Sequence, residues 1–203
     1  MKSASSWKML LLLKQTDECP MKQLNPWKTK ETTDIYENPW ISVHEDQVIQ
    51  PDGKPGIYGV VHFKNKAIGV LAIEDDHIYL VGQYRYPLKS YSWEIPEGGC
   101  PEDEDPLDAA QRELLEEAGV KASSWQELGR AHLSNSVSDE EAIFYLATGL
   151  TKGEPQPDGC EELAVKRVPF AEALEMTMRG DITDSVSVIA IMHYALLKRD
   201  KHS

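Results

Sequence analysis

Residues 98–120 read GGCPEDEDPLDAAQRELLEEAGV, and the placing of acids in this stretch decides how the rest of the chain is read. Asp105 before Pro106 reads as a helix N-cap followed by proline at the first helical position, where a missing N–H costs nothing. Asp108 is placed to reach back from the first turn as in a capping box. Leu107, Ala110, Leu114 and Ala118 recur at three- and four-residue spacing and mark a buried stripe, and Gly119 can take the left-handed conformation that stops the helix. The spacing therefore predicts a helix from Pro106 to near Ala118. At about 100° per residue, Glu113, Glu116 and Glu117 fall within an arc of roughly 100° beside that stripe. Like charges so spaced destabilise a helix by a few tenths of a kcal/mol per pair, so their convergence points to a compensating cation. All-oxygen donors suit Mg²⁺ or Mn²⁺ far better than zinc. A solvated acidic face is the ordinary meaning of such a run. Against it stand Gly98, Glu104 and the Gly119 stop at fixed distances, and glycine at 98 and 99 lets a backbone carbonyl approach the same cation.

The stretch fits without mismatch the pattern Gly, five residues, Glu, seven residues, Arg-Glu, apolar, any, Glu-Glu, any, Gly, apolar. Gly98, Glu104, Arg112, Glu113, Leu114, Glu116, Glu117, Gly119 and Val120 fill it. That pattern resembles the signature of the Nudix hydrolases, and a chance match is on the order of one in 100,000. The resemblance implies an α/β fold, a mixed curved β-sheet sandwiched between α-helices with an N-terminal strand extension. It implies metal ligands at the Glu97 carbonyl in the Gly98 turn and at Glu113, Glu116 and Glu117. The ion is expected to be Mg²⁺, with Mn²⁺ as a substitute. Arg112 and Glu104 are expected to orient the helix carboxylates without touching substrate.

Outside the helix, residues 41–49, 57–63, 67–74 and 78–84 are rich in β-branched and aromatic residues and are separated by turns such as PDGKPG and EDDH. Further strands are expected near 126–132, 141–147 and 163–168, and helices at 170–178 and 185–199. The expected organisation is a flexible leader at 1–34, a strand pair for dimerisation at 35–63, and a Nudix domain at 64–203.

Several pieces resemble the ADP-ribose and nucleoside diphosphate sugar pyrophosphatase branch: QYRYP at 83–87, SWEIPEG at 92–98, SDEE at 138–141 and GDITDSVSVIAI at 180–191. The resemblance assigns Arg85 to substrate, where a guanidinium can grip phosphate oxygens in pairs, with a surface ion pair as the plainer reading. It sets Trp40 against a base or ribose, or leaves it as an apolar anchor. The catalytic base is expected outside the signature, at Glu140 in SDEE or at Glu162 in the loop GEPQPDGCEE, with Glu113 as the further catalytic carboxylate. Asn135 stands where ADP-ribose-specific enzymes carry proline, which makes a nucleoside diphosphate sugar at least as good a substrate. His44, His132 and Cys100 are read as structural.

The charge balance narrows the partners. With 34 acids against 21 bases the net charge is -13, which repels a phosphate backbone, so neither nucleic acid nor an anionic membrane is an expected partner. Cys19, Cys100 and Cys160 lack the spacing of a zinc site or a disulfide framework, which fits a reducing cytoplasm. The apolar run Met9–Leu13 is shorter than a secretory core or a membrane span, and Met21 is an alternative start. The expected protein is a metal-dependent pyrophosphatase, a homodimer by resemblance, acting on a nucleotide sugar or ADP-ribose. Strict ADP-ribose pyrophosphatase, dinucleoside polyphosphate hydrolase, and a catalytically silent nucleotide-sensing module remain as alternatives.

Overall fold

The computed structural model describes residues 24–153 and 163–200, which form ten strands and three helices. The strands are β1 (Lys28–Glu37), β2 (Ile41–Ile49), β3 (Pro55–Phe63), β4 (Asn65–Glu74), β5 (His77–Arg85), β6 (Ser90–Glu94), β7 (Glu97–Pro101), β8 (Val120–His132), β9 (Glu141–Lys152) and β10 (Ala164–Pro169). The helices are α1 (Pro106–Ala118), α2 (Phe170–Arg179) and α3 (Ser185–Asp200). None of the described helices is long and apolar enough to cross a membrane.

The chain divides into two compact units. One contains the described residues up to Thr33 together with Glu45–Tyr58, and the other contains Asp34–His44 and everything described from Gly59 onward. In the first, Trp27 meets Tyr58 edge to face at 5.4 Å, and the Thr32 hydroxyl donates to Asp46 at 2.5 Å. β1, β2 and β3 form a three-stranded sheet in that order. The expected pair is thus three strands, and strand structure starts at Lys28, inside the expected leader. The sequence KTKETTDIYE hides β1 because every one of its residues is exposed, so no alternation marks it.

The larger unit is built on a mixed sheet of order β10-β5-β4-β9-β8, with β6 on β5 and β7 on β4. β4 and β9 run parallel with Ile68 opposite Ile143 and Val70 opposite Tyr145, and their apolar runs are buried on both faces. Alternation sorts the side chains. Ile68, Val70, Ala72, Ile143, Tyr145 and Ala147 face Ala109, Ala110, Leu114 and Ala118 of α1. Leu71, Ile73, Ala142 and Phe144 face Phe170, Ala173 and Met176 of α2 and Val186, Ala190 and Ile191 of α3. Helices therefore flank the mixed sheet on both sides, which is the α/β arrangement expected. A fully buried side chain such as Leu114 contributes about 1.5–3 kcal/mol.

The sheet opens where β4 changes neighbours. Its C-terminal end pairs with β5 at Ile73 and Glu74, whereas its N-terminal half, Asn65–Gly69, pairs with β7. Gly69 lies in that half, and a Cβ there would collide with Val186, so glycine lets the start of α3 approach the strand. The divergence of β5 from β7 leaves a crevice beside the N-terminus of α3.

Candidate active site

α1 forms as its sequence requires. Asp105 caps it by accepting the Leu107 N–H at 2.9 Å, Pro106 opens it, and Gly119 closes it at φ 64°. Glu113 and Glu117 are buried and Glu116 is partly so. Arg112 gathers this face: its guanidinium donates to both oxygens of Glu104 at 3.0 and 2.9 Å, to Glu113 at 2.6 Å, to Glu116 at 3.1 Å and to the Gly99 carbonyl at 2.9 Å. Its hydrogen bond holds the Glu104 carboxyl below the usual carboxylate range. Glu117 is anchored differently, accepting the Glu97 N–H at 2.8 Å.

A Cβ at Gly98 would overlap the Glu113 carboxylate, so the glycine lets the acid lie directly on the turn. Gly98→Ala is expected to leave the fold intact, because the displaced group is a side-chain end, yet to push Glu113 off the turn and lower kcat/KM by about tenfold or more. Kinetics beside circular dichroism check this, and normal turnover would show that Glu113 moves at no cost.

The crevice is a cavity of about 860 Å³ lined by Glu97, Gly98, Gly99, Glu117, Glu140 and Asp184, by Lys66 and Arg85, and by Trp40, Phe63, Pro87, Leu88 and Leu133 among others. The structure thus brings Trp40, Arg85, Glu97, Gly98, Glu117 and Glu140 to the lining of one cavity, and Glu113, Glu116, Glu104 and Arg112 are not in that lining. Glu162 lies outside the described residues, as do Cys19 and Cys160. Trp40 is 67% exposed and is fixed by Asn38, whose Oδ1 accepts the N–H groups of Trp40 and Ile41, both at 2.8 Å. Arg85 is already engaged: it donates to both oxygens of Glu94, the shortest contact being 2.5 Å, and to Glu97 at 2.7 Å. Its guanidinium reaches the cavity from a partly buried acid pair, not from a surface ion pair.

Phe63, Lys66, Glu94 and Asp184 belong to this site although the sequence did not single them out. Asp184 carried a usable signal, since it precedes α3 as a cap, with its carboxylate accepting the Ser187 N–H at 2.7 Å. It also faces the other acids. Burial, then the charge on Asp184 and Glu94, pushes the Glu97 carboxyl well above the usual range in spite of Arg85. Burial, then Asp184 and Asp139, raises the Glu140 carboxyl.

The implied divalent ion can be tested against these residues. Among the described residues, no three His, Cys, Asp or Glu side chains are grouped in ligand geometry, since Arg112 draws Glu113 and Glu116 to itself and Glu117 is bound to backbone. Three features nevertheless fit a hard cation. The donors are all oxygen, as Mg²⁺ requires. Glu97 Oε2 is buried with no geometric hydrogen-bond partner among the described residues, and the Glu97 carboxyl faces a second acid, Asp184. The cavity wall carries four acids, Glu97, Glu117, Glu140 and Asp184, against two bases, Lys66 and Arg85, before any phosphate enters.

Residues 63–186 match the NUDIX domain family, and residues 27–61 match the nucleoside diphosphate sugar hydrolase N-terminal domain. An ADP-ribose pyrophosphatase of Mycobacterium tuberculosis is 33% identical over 171 residues, covering 82% of this chain and 82% of that protein. A methanol dehydrogenase activator of Bacillus methanolicus is 33% identical over 178 residues, covering 86% of this chain and 96% of that protein. Among solved structures, an ADP compounds hydrolase shares the fold with a TM-score of 0.80 at 21% identity, over 89% of this chain and 98% of that one. The chain belongs to the Nudix family and is a pyrophosphohydrolase of nucleotide-derived pyrophosphate bonds.

Proposed function

We propose that the enzyme hydrolyses the diphosphate of a nucleoside diphosphate sugar, with ADP-ribose as a second substrate of the same kind, to a nucleoside monophosphate and a sugar phosphate. The observation that carries this reading is the single cavity in which Trp40, Phe63 and Leu133 offer surface for a base while Glu97, Glu117, Glu140 and Arg85 surround the place for a diphosphate. The match of residues 27–61 to a nucleoside diphosphate sugar hydrolase domain and the ADP-ribose pyrophosphatase relative support the substrate class. Asn135, in place of the proline of ADP-ribose-specific enzymes, favours the nucleotide sugar.

Glu113, Glu116, Glu117 and the Glu97 carbonyl would hold Mg²⁺. The ion, when bound, supplies positive charge against the diphosphate oxygens and makes nearby water more acidic. Glu140 takes the proton from the attacking water as its oxygen bonds to one phosphorus and the bridging P–O bond breaks. Arg85, its orientation set by Glu94 and Glu97, steadies charge on the diphosphate. Arg112 bridges the Glu113 and Glu116 carboxylates and holds them in place. Phosphate released by a coupled phosphatase, measured over a panel of nucleotide sugars, ADP-ribose and dinucleoside polyphosphates with Mg²⁺, tests the reading. A nucleotide sugar should be the fastest substrate, and a clear preference for dinucleoside polyphosphates would overturn it.

We also propose a homodimer. β1 is the edge strand of its sheet and is exposed along its length, with Ile35 and Tyr36 62% and 55% exposed, and an open edge with apolar side chains is a template for pairing with another chain. Light scattering should give about twice the chain mass of 22.8 kDa, and a fully active monomer at micromolar concentration would refute it.

A further inference from the structure

The segment that carries Glu140 into β9 is tied to the end of β3 by a set of contacts far more specific than an ordinary loop needs. Val61 and Ser138 form a parallel bridge, the Val61 N–H donates to the Val137 carbonyl at 2.8 Å, and the Asp139 N–H donates to the Val61 carbonyl at 3.3 Å. Asp139 then spends both carboxylate oxygens on the same strand. Oδ1 accepts the Phe63 N–H at 3.0 Å, and Oδ2 lies 2.5 Å from His62 Nδ1. On the other side, the Leu133 N–H donates to the Glu140 carbonyl and the Ser138 hydroxyl donates to the Leu133 carbonyl, both at 2.8 Å. Glu140 therefore sits one residue past a two-point clamp, with its own carbonyl held, and its side chain enters the cavity that Phe63 also lines.

A general base must stand within hydrogen-bond reach of the proton it takes, and a misplacement of about 1 Å can cost on the order of a hundredfold. We propose that Asp139, clamped by His62 and the Phe63 N–H, is a positioning residue that fixes Glu140 for proton abstraction and acts on the reaction only through Glu140. This rests on Glu140 being the base. The clamp also holds the Asp139 carboxyl below its ordinary value: burial opposes this, but the hydrogen bonds from His62 and Phe63 outweigh it. A clamp that served stability alone would affect every activity of the folded enzyme alike, whereas a positioning clamp is silent once the base is gone.

The test is a double-mutant cycle on the full chain with saturating Mg²⁺ and ADP-ribose or a nucleotide sugar, whichever turns over faster. Asp139→Ala is expected to lower kcat about tenfold or more with KM within about threefold. Asp139→Asn keeps an acceptor for Phe63 and a partner for His62, and is expected to stay within about threefold of the parent kcat. In a Glu140→Gln background, adding Asp139→Ala should cost less than about twofold. An unchanged kcat for Asp139→Ala, or an equal loss in both backgrounds, overturns the proposal. Should Asp139→Ala fail to fold, His62→Ala takes its place, with a loss of about threefold expected in the parent and none in Glu140→Gln. Equal losses in the two backgrounds again overturn it. Near-normal turnover by Glu140→Gln alone refutes the base assignment and the clamp with it, and that readout does not involve Asp139.

Discussion

Glu117→Gln is expected to fold normally and to lose at least about a hundredfold in kcat, roughly 2.7 kcal/mol of transition-state stabilisation. The substitution separates two duties of this side chain. As an acceptor it anchors the β7 turn through the Glu97 N–H at 2.8 Å, and glutamine keeps a carbonyl oxygen for that bond. As a charge it is one of four acids on the cavity wall, and glutamine removes that. Circular dichroism and melting temperature should therefore change little while the Mg²⁺ concentration needed for half-maximal rate rises. Near-normal turnover at saturating Mg²⁺ would show that the charge is not used. A collapse of the fold would instead mean that the turn anchor needs the full carboxylate.

Glu140→Gln is expected to lower kcat by about a hundredfold or more while Mg²⁺ and substrate affinities stay within a few fold, as for loss of a proton acceptor. The pH profile gives the sharper reading. A base works deprotonated, so the rate falls as pH drops through its pKa. Burial, then Asp184 and Asp139, raises the Glu140 carboxyl above its ordinary value of 4.5, which places this fall at a higher pH than for a free glutamate. Asp184→Asn removes one of the repelling charges and should move the acid limb to lower pH, and Glu140→Gln should lack that limb. An unchanged limb in Glu140→Gln, with Glu162→Gln as the crippled variant, would transfer the base to the other acidic loop.

Much of this was legible in the sequence wherever one short segment carried both the fold and the chemistry. The stripe Leu107, Ala110, Leu114 and Ala118, bracketed by Asp105 and Gly119, specified α1 to within a residue. The apolar runs of β4 and β9 were equally plain because both faces of those strands are buried. β1 was not, since an entirely exposed strand leaves no hydrophobic period. β6 and β7 are five residues each, and EGGCP has no strand-like pattern, so SWEIPEG read as a motif rather than as two strands. β8 begins at Val120, ahead of the expected 126, because polar residues at its start follow the helix stop directly.

The site shows the same division. Arg112 with Glu104 could be read from spacing along one helix and its approach. Contacts such as His62 with Asp139, 77 residues apart, arise only when β3 meets the loop before β9. Arg85 is visible in the sequence but its two acid partners are not, because the pairing of β5 with β6 brings Glu94 to it and the pairing of β7 with β4 places Glu97.

The most direct test of the account is hydrolysis of a nucleotide sugar and of ADP-ribose in ¹⁸O-labelled water, with and without Mg²⁺, read by mass spectrometry of the products. The expected products are a nucleoside monophosphate and a sugar phosphate with one labelled oxygen per turnover on phosphorus, and negligible reaction without a divalent ion. Label on a sugar carbon, or no cleavage of either diphosphate with Mg²⁺ or Mn²⁺ present, would contradict it.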